Sequence, residues 1–190
     1  MASEDERNEV LNRLRDAVSR LEGGMDPGLV PEVGTNLAYA VPGARSPGEV
    51  AAVEGRIVRL PGKVHPVGGV AFGASDHMAR VVLTALRFDP RVRAAGNVRF
   101  SEEAVEQLED LLLEVCEFDR GKEPPGVSTM DWGVAHCCRE GVPDVIFDRG
   151  AVGKEPMIRI LGEDPVTVAS RIIQLGQRLG MQQGNSSRGR

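Results

Sequence analysis

Residues 94–119, AAGNVRFSEEAVEQLEDLLLEVCEFD, decide the fold class. Small and branched residues from Ala94 to Phe100 read as a strand. Ser101 offers a side-chain oxygen to the first amides of a helix, and Glu102 and Glu103 suit the positive end of its dipole. The spacing of Ala104, Val105, Leu108, Leu111, Leu112 and Val115 predicts one inward apolar face on a helix from Glu102 to about Val115. Cys116 to Asp119 then reads as a second strand.

The mixing of strand and helix continues on both sides. Residues 3–22 predict an amphipathic helix capped by Ser3, with Val10, Leu11, Leu14, Ala17, Val18 and Leu21 on one face and Gly23-Gly24 as its stop. Asn36–Val41 and Gly55–Leu60 read as strands around a turn-rich loop at 42–47, and residues 61–72 as loop with a short strand. Ser75 caps a helix from Asp76 to Phe88. A loop at 120–130 precedes a short helix near Trp132–Arg139, then strands at Val145–Asp148 and Pro156–Leu161. Asp164 caps the last helix, with Pro165 in its first position, to about Leu179. Without strict alternation this predicts a layered α/β or α+β domain with a mixed sheet. The expected organisation is an N-terminal helix at 1–24, one domain at 25–180 and a disordered tail at 181–190.

Composition narrows the class. In 190 residues, 41% apolar content supports one packed domain, and the net charge of −5 excludes a general nucleic-acid coat. Aromatics at 4% leave few base-stacking platforms. No apolar run is long enough to span a membrane, and the acidic start Met1-Ala2-Ser3-Glu4-Asp5-Glu6 is unlike a signal peptide, so a cytoplasmic protein is expected. Cys116, Cys137 and Cys138 are odd in number with two adjacent, which predicts no disulfide framework, and His136-Cys137-Cys138 lacks a zinc spacing.

Several segments could carry chemistry. In Phe72-Gly73-Ala74-Ser75-Asp76-His77 a glycine turn enters a helix, where free amides and the dipole favour an anion. His77 falls in the first turn, where a neutral imidazole is expected. Gly153-Lys154-Glu155 could set an ammonium near a phosphate and a carboxylate near a metal; a hairpin turn with solvated charges gives the same pattern. Arg45, Arg56, Arg93, Asn97 and the Asp119-Arg120 pair lie at strand ends and loops, where ligand sites collect. Gly-x-Ser-x-Gly, Gly-x-Gly-x-x-Gly and P-loop patterns are absent.

Pro31-Glu32-Val33-Gly34-Thr35-Asn36-Leu37-Ala38-Tyr39-Ala40, Pro42-Gly43-Ala44-Arg45, Val53-Glu54-Gly55-Arg56-Ile57-Val58 and Phe72-Gly73-Ala74-Ser75-Asp76-His77-Met78-Ala79-Arg80 follow one another in order. So do Arg93-Ala94-Ala95-Gly96-Asn97, Phe118-Asp119-Arg120, Pro143-Asp144-Val145-Ile146 and Gly153-Lys154-Glu155-Pro156-Met157-Ile158. As an ordered set, over roughly residues 5–178, they resemble the ThiN-type thiamine-phosphate synthases. The resemblance implies a three-layer α/β/α domain with a mixed, largely antiparallel sheet. It implies the joining of hydroxymethylpyrimidine diphosphate to hydroxyethylthiazole phosphate, with release of pyrophosphate. It also implies a functional link to a hydroxymethylpyrimidine kinase, the chain being either stand-alone or one domain of a fusion. Related domains in transcription regulators act as non-catalytic thiamine-phosphate sensors and tend to lack the N-terminal helix and the catalytic Arg and His. This sequence keeps all three, the latter two as Arg56 and His77.

From that chemistry Arg56 is expected to neutralise the diphosphate, with His77 and the amides near Gly73 and Ser75 holding phosphate oxygens or orienting the leaving group. Arg45, Arg93, Arg120 and Lys154 are candidates for the thiazole phosphate, and Asn97, Ser128 and Thr129 for polar contacts. Mg²⁺ is the expected cofactor, with Asp119 and Glu155 as its carboxylates where the protein holds it. Neither nucleic acid nor membrane is an expected partner, and the amphipathic first helix makes a homodimer reasonable. A helper domain for a kinase is a third reading.

Overall fold

Nine short strands and five helices form a three-layer sandwich in the computed structural model, which describes residues 2–126 and 129–186, the side chains of 129, 130 and 182–186 excepted. The strands are β1 (Leu37–Ala40), β2 (Val50–Val53), β3 (Ile57–Leu60), β4 (Lys63–Pro66), β5 (Val70–Phe72), β6 (Ala94–Arg99), β7 (Val115–Glu117), β8 (Val145–Asp148) and β9 (Met157–Gly162). Seven of them make one sheet in the order β5-β2-β1-β6-β9-β8-β7, and β3 pairs with β4 in a separate hairpin. Every pairing in the large sheet is antiparallel except β7 with β8. The mixed, largely antiparallel sheet is as expected.

The helices are α1 (Glu4–Gly24), α2 (Asp76–Leu86), α3 (Glu102–Asp110), α4 (Thr129–Cys137) and α5 (Pro165–Ser186). Helix α1 packs along α5 and over β1 and β2, and α3 joins α5; α2 packs with α4 and crosses β1, β2 and β6. The central strands, covered by helices above and below, are buried along their whole length: β1 and β2 read Leu-Ala-Tyr-Ala and Val-Ala-Ala-Val. Gly96 on β6 shows how closely α5 approaches: a Cβ there would lie 3.1 Å from Ile172 and 3.2 Å from Val168. On α1, Val10, Leu14, Ala17, Val18 and Leu21 are buried within the chain, so that face supplies no argument for a homodimer.

The structure corrects five expectations. Residues 61–72, expected as loop with a short strand, hold two strands, β4 and β5, which pair with β3 and β2. Helix α3 stops at Asp110, because Leu112 turns into the left-handed region at φ 60 and stands exposed. Val115 is thereby released to open β7, where the Asp144 carboxylate accepts the Glu114 amide. Strand β2 was not anticipated: four consecutive apolar residues carry no period that marks a strand. Helix α5 continues to Ser186, through most of the stretch expected to be a disordered tail, and 187–190 lie outside the described residues. Finally, Cys116 on β7 and Cys137 on α4 form a disulfide, with Cys138 buried beside it. An odd count says nothing about which two cysteines the topology brings together.

Candidate active site

The sheet face beneath α2 and α4 carries polar residues where β6 and β9 pair. Asn97 and Arg159 stand directly opposite in that ladder, so their side chains leave the same face. Asp148 on β8 shares it, since its neighbour in the ladder is Met157, two residues from Arg159. Above them lies a cavity of about 310 Å³, bounded by the start of α2, the turn at Arg56 and the loop at 153–155. Among the described residues its lining has four cationic side chains, Arg56, Arg120, Lys154 and Arg159, against one carboxylate, Glu155.

Arg56 is placed by its backbone. Gly55 at φ 67 and Arg56 at φ 75 are consecutive left-handed residues in the turn that leads from β2 in the large sheet to β3 in the hairpin. The Arg56 Nη1 donates to the Val33 carbonyl at 2.7 Å. Glu155 in turn accepts the Glu32 amide at 2.9 Å and the Val33 amide at 3.3 Å, so it braces the segment that holds Arg56.

His77 stands in the first turn of α2, which Ser75 caps by accepting the Met78 amide at 3.3 Å. The protein packed around the ring, which still opens to solvent, and the nearby cations of Arg159, Arg56 and Arg120 push its pKa down to about 4; Asp76 pulls the other way. At neutral pH it is an uncharged hydrogen-bonding group, as its place at a helix N-terminus predicted.

At the cavity floor Arg120 grips Asp148 with two bonds, Nε to Oδ1 at 2.6 Å and Nη2 to Oδ2 at 3.2 Å. Arg159 Nη1 reaches the same carboxylate at 2.9 Å, and the Gly150 amide gives it a further donor at 2.9 Å. Arg159 is fully buried, and among the described residues its Nε and Nη2 have no hydrogen-bond partner. Burial works against its charge, and Asp148 offsets that in part. Outside the cavity a wider groove of about 1060 Å³ shares Arg56 and Lys154 with it and adds Arg59 and Arg99. The whole is an anion-binding arrangement with a neutral imidazole at its edge.

The model of the family described as thiamine-phosphate synthase ThiN matches residues 13–174. The chain belongs to the ThiN family. It is 41% identical over 169 residues to the bifunctional thiamine biosynthesis protein ThiDN of Methanocaldococcus jannaschii, covering 87% of this chain and 40% of the relative's length. It is 37% identical over 173 residues to the thiamine-phosphate synthase ThiN of Methanothermobacter thermautotrophicus, covering 87% and 91%. The crystal structure of the C-terminal domain of phosphomethylpyrimidine kinase superposes with a TM-score of 0.83 at 39% identity, covering 89% of this chain and 99% of that one.

Of the positions that the ThiN motifs singled out, Arg56, Ser75, His77, Asn97, Arg120, Lys154 and Glu155 meet at the cavity. The Asn97 amide is engaged by the Gly34 carbonyl, Met157 and the Asn36 amide, so it braces the wall. Arg93 is elsewhere: its guanidinium donates to the Ala40 carbonyl and lies over the Tyr39 ring. Arg45 lines a separate hollow with Arg80 and Arg87. Gly73 is not part of the lining. Ser128 lies outside the described residues, as does the side chain of Thr129. Asp148, Met78, Met157 and Arg159 were missed; a single Arg in an apolar strand reads as a solvent-facing alternation, and nothing local says otherwise.

The described residues do not fit a Mg²⁺ held by protein carboxylates. Asp119 is exposed, caps the turn at Arg120–Lys122 by accepting the Gly121 amide and does not line the cavity. Both Glu155 oxygens accept backbone amides, and both Asp148 oxygens accept guanidinium donors. Among the described residues no cluster of three or more His, Cys, Asp and Glu could hold a metal.

Proposed function

We infer that the protein is a thiamine-phosphate synthase, which joins hydroxymethylpyrimidine diphosphate to hydroxyethylthiazole phosphate to give thiamine phosphate and pyrophosphate. The observation that carries this reading is the convergence of Arg56, Arg120 and Arg159 on the cavity that holds His77. A cavity of about 310 Å³ suits one small substrate, and the groove beside it suits a second. We assign the diphosphate to the inner cavity and the thiazole phosphate to the groove, with Lys154 at their boundary.

The reaction breaks the bond between the pyrimidine methylene carbon and a diphosphate oxygen, whose electron pair leaves with pyrophosphate. The aminopyrimidine ring donates electron density to the methylene carbon, so departure runs ahead of attack. The thiazole nitrogen then supplies its lone pair to the new C–N bond. That nitrogen carries no proton, and no general base is needed. The protein's task is to hold negative charge as it grows on the leaving group. Arg56 supplies a fixed cation, the first amides of α2 supply dipoles, and neutral His77 supplies a hydrogen bond. Mg²⁺ belongs to this reading only as a counter-ion carried by the diphosphate. A kinase making the pyrimidine diphosphate is the expected partner, and the cytoplasm the expected setting. No described helix is long and apolar enough to cross a membrane.

The test is an assay with both phosphorylated precursors, reading pyrophosphate and thiamine phosphate. Wild type turns over, and Arg56→Ala and His77→Ala each lose ~10²–10³ in rate while remaining folded. Tight binding of thiamine phosphate without turnover by wild type would instead establish a sensor.

A further inference from the structure

Arg159 is the largest fully buried side chain among the described residues. It is completely buried and lies over the Phe118 ring at 5.5 Å, yet among the described residues only Nη1 has a hydrogen-bond partner, and Nε and Nη2 have none. Asp148 can do no more for it, since that carboxylate already accepts two bonds from Arg120 and one from Gly150. Asn97, its neighbour across the ladder, is engaged by other groups. A guanidinium serving only to tie β9 to β8 would have its remaining donors satisfied, because a buried unpaired donor is destabilising. The Nε–Nη2 edge is the one that matches two oxygens of a tetrahedral anion. It lies under a cavity rich in cations, beside Met78 and Met157, unbranched side chains that rearrange readily.

We propose that Arg159, held in place by Asp148, is a ligand of the diphosphate, gripping its terminal phosphoryl group through the Nε–Nη2 edge and keeping hold of it as pyrophosphate departs. Arg56 and His77 then serve the bridging side, near the bond that breaks, and Arg159 the far end. Asp148 is a positioning residue that lets two like charges, Arg120 and Arg159, lie side by side. The identity of the anion rests on the proposed function, but the site can be tested apart from it.

Inorganic pyrophosphate is the probe, with binding measured by calorimetry and stability by thermal denaturation on the full chain. Arg159→Met keeps an unbranched apolar stem, removes the guanidinium and leaves Asp148 with three donors. It is expected to weaken pyrophosphate binding by ~10–100-fold without lowering the melting temperature. Arg159→Lys keeps the charge and loses the two-pronged grip; it is expected to bind pyrophosphate more weakly than wild type, and it carries the test if the Met variant does not fold. Asp148→Asn is expected to raise KM for the diphosphate substrate and leave KM for the thiazole phosphate unchanged. The proposal is overturned if wild type does not bind pyrophosphate, or if the folded Arg159 variants bind it as tightly as wild type. Failure of the synthase reading looks different: pyrophosphate binds through Arg159, and the two precursors are not joined.

Discussion

Arg56 occupies a backbone conformation that glycine adopts freely and other residues adopt at a cost. The function attributed to it is a reason to keep a charged side chain there. Arg56→Gly is therefore expected to be as inactive as Arg56→Ala and more stable than it by about 1 kcal/mol in urea unfolding. His77 makes a second prediction. Its pKa is about 4 in the folded protein, against an ordinary value of 6.5. As acid is added the unfolded chain takes the proton first. The stability that neutral His77 supports is thus complete above about 6.5 and is lost as pH falls through about 4. Unfolding of wild type and His77→Gln at pH 7 and pH 4.5 checks this: the difference in favour of wild type shrinks at the lower pH. Arg56 and His77 took their expected roles from the ThiN motifs Gly-Arg-Ile-Val and Gly-Ala-Ser-Asp-His, with the Ser75 cap marking His77 as a first-turn residue; local pattern alone says little about Arg56. Arg45 and Arg93 stand in motifs of the same set, and only the sheet register shows that Arg93 belongs to the Tyr39 surface. Asp148 and Arg159, both inside strands, become visible as a pair only when β8 and β9 are laid side by side.

At the level of elements, helix caps were the dependable signals: Ser3, Ser75 and Ser101 each accept the amide three residues on. Ends were less so, since the run of leucines after Asp110 satisfies a helical period that Leu112 then breaks. The link between β7 and α4 could not be read at all, because a disulfide records a meeting of distant segments. The Cys116–Cys137 bond closes a loop with a sequence separation of 21. Replacing both cysteines by serine is expected to lower the unfolding free energy by about 3 kcal/mol, measured in urea under non-reducing conditions. Cys138, next in sequence, is no threat to that bond: burial pushes its thiol up to about 11, and at neutral pH it has almost no thiolate to attack with.

For the molecule as a whole, a layered domain with a mixed sheet followed from the mixed strand and helix pattern, the three-layer arrangement only from the ThiN resemblance, and the strand order from neither. That order places the N-terminal half of β9 and the C-terminal half of β6 together under the start of α2. A chain carrying a net charge of −5 thereby concentrates four cations on one hollow. Common laboratory buffers enter at this point. Orthophosphate and sulfate have the tetrahedral shape and charge of a single phosphoryl group, so a protein kept in them is handed a competitor at high concentration. Affinities measured in such solutions will understate those in Tris or HEPES.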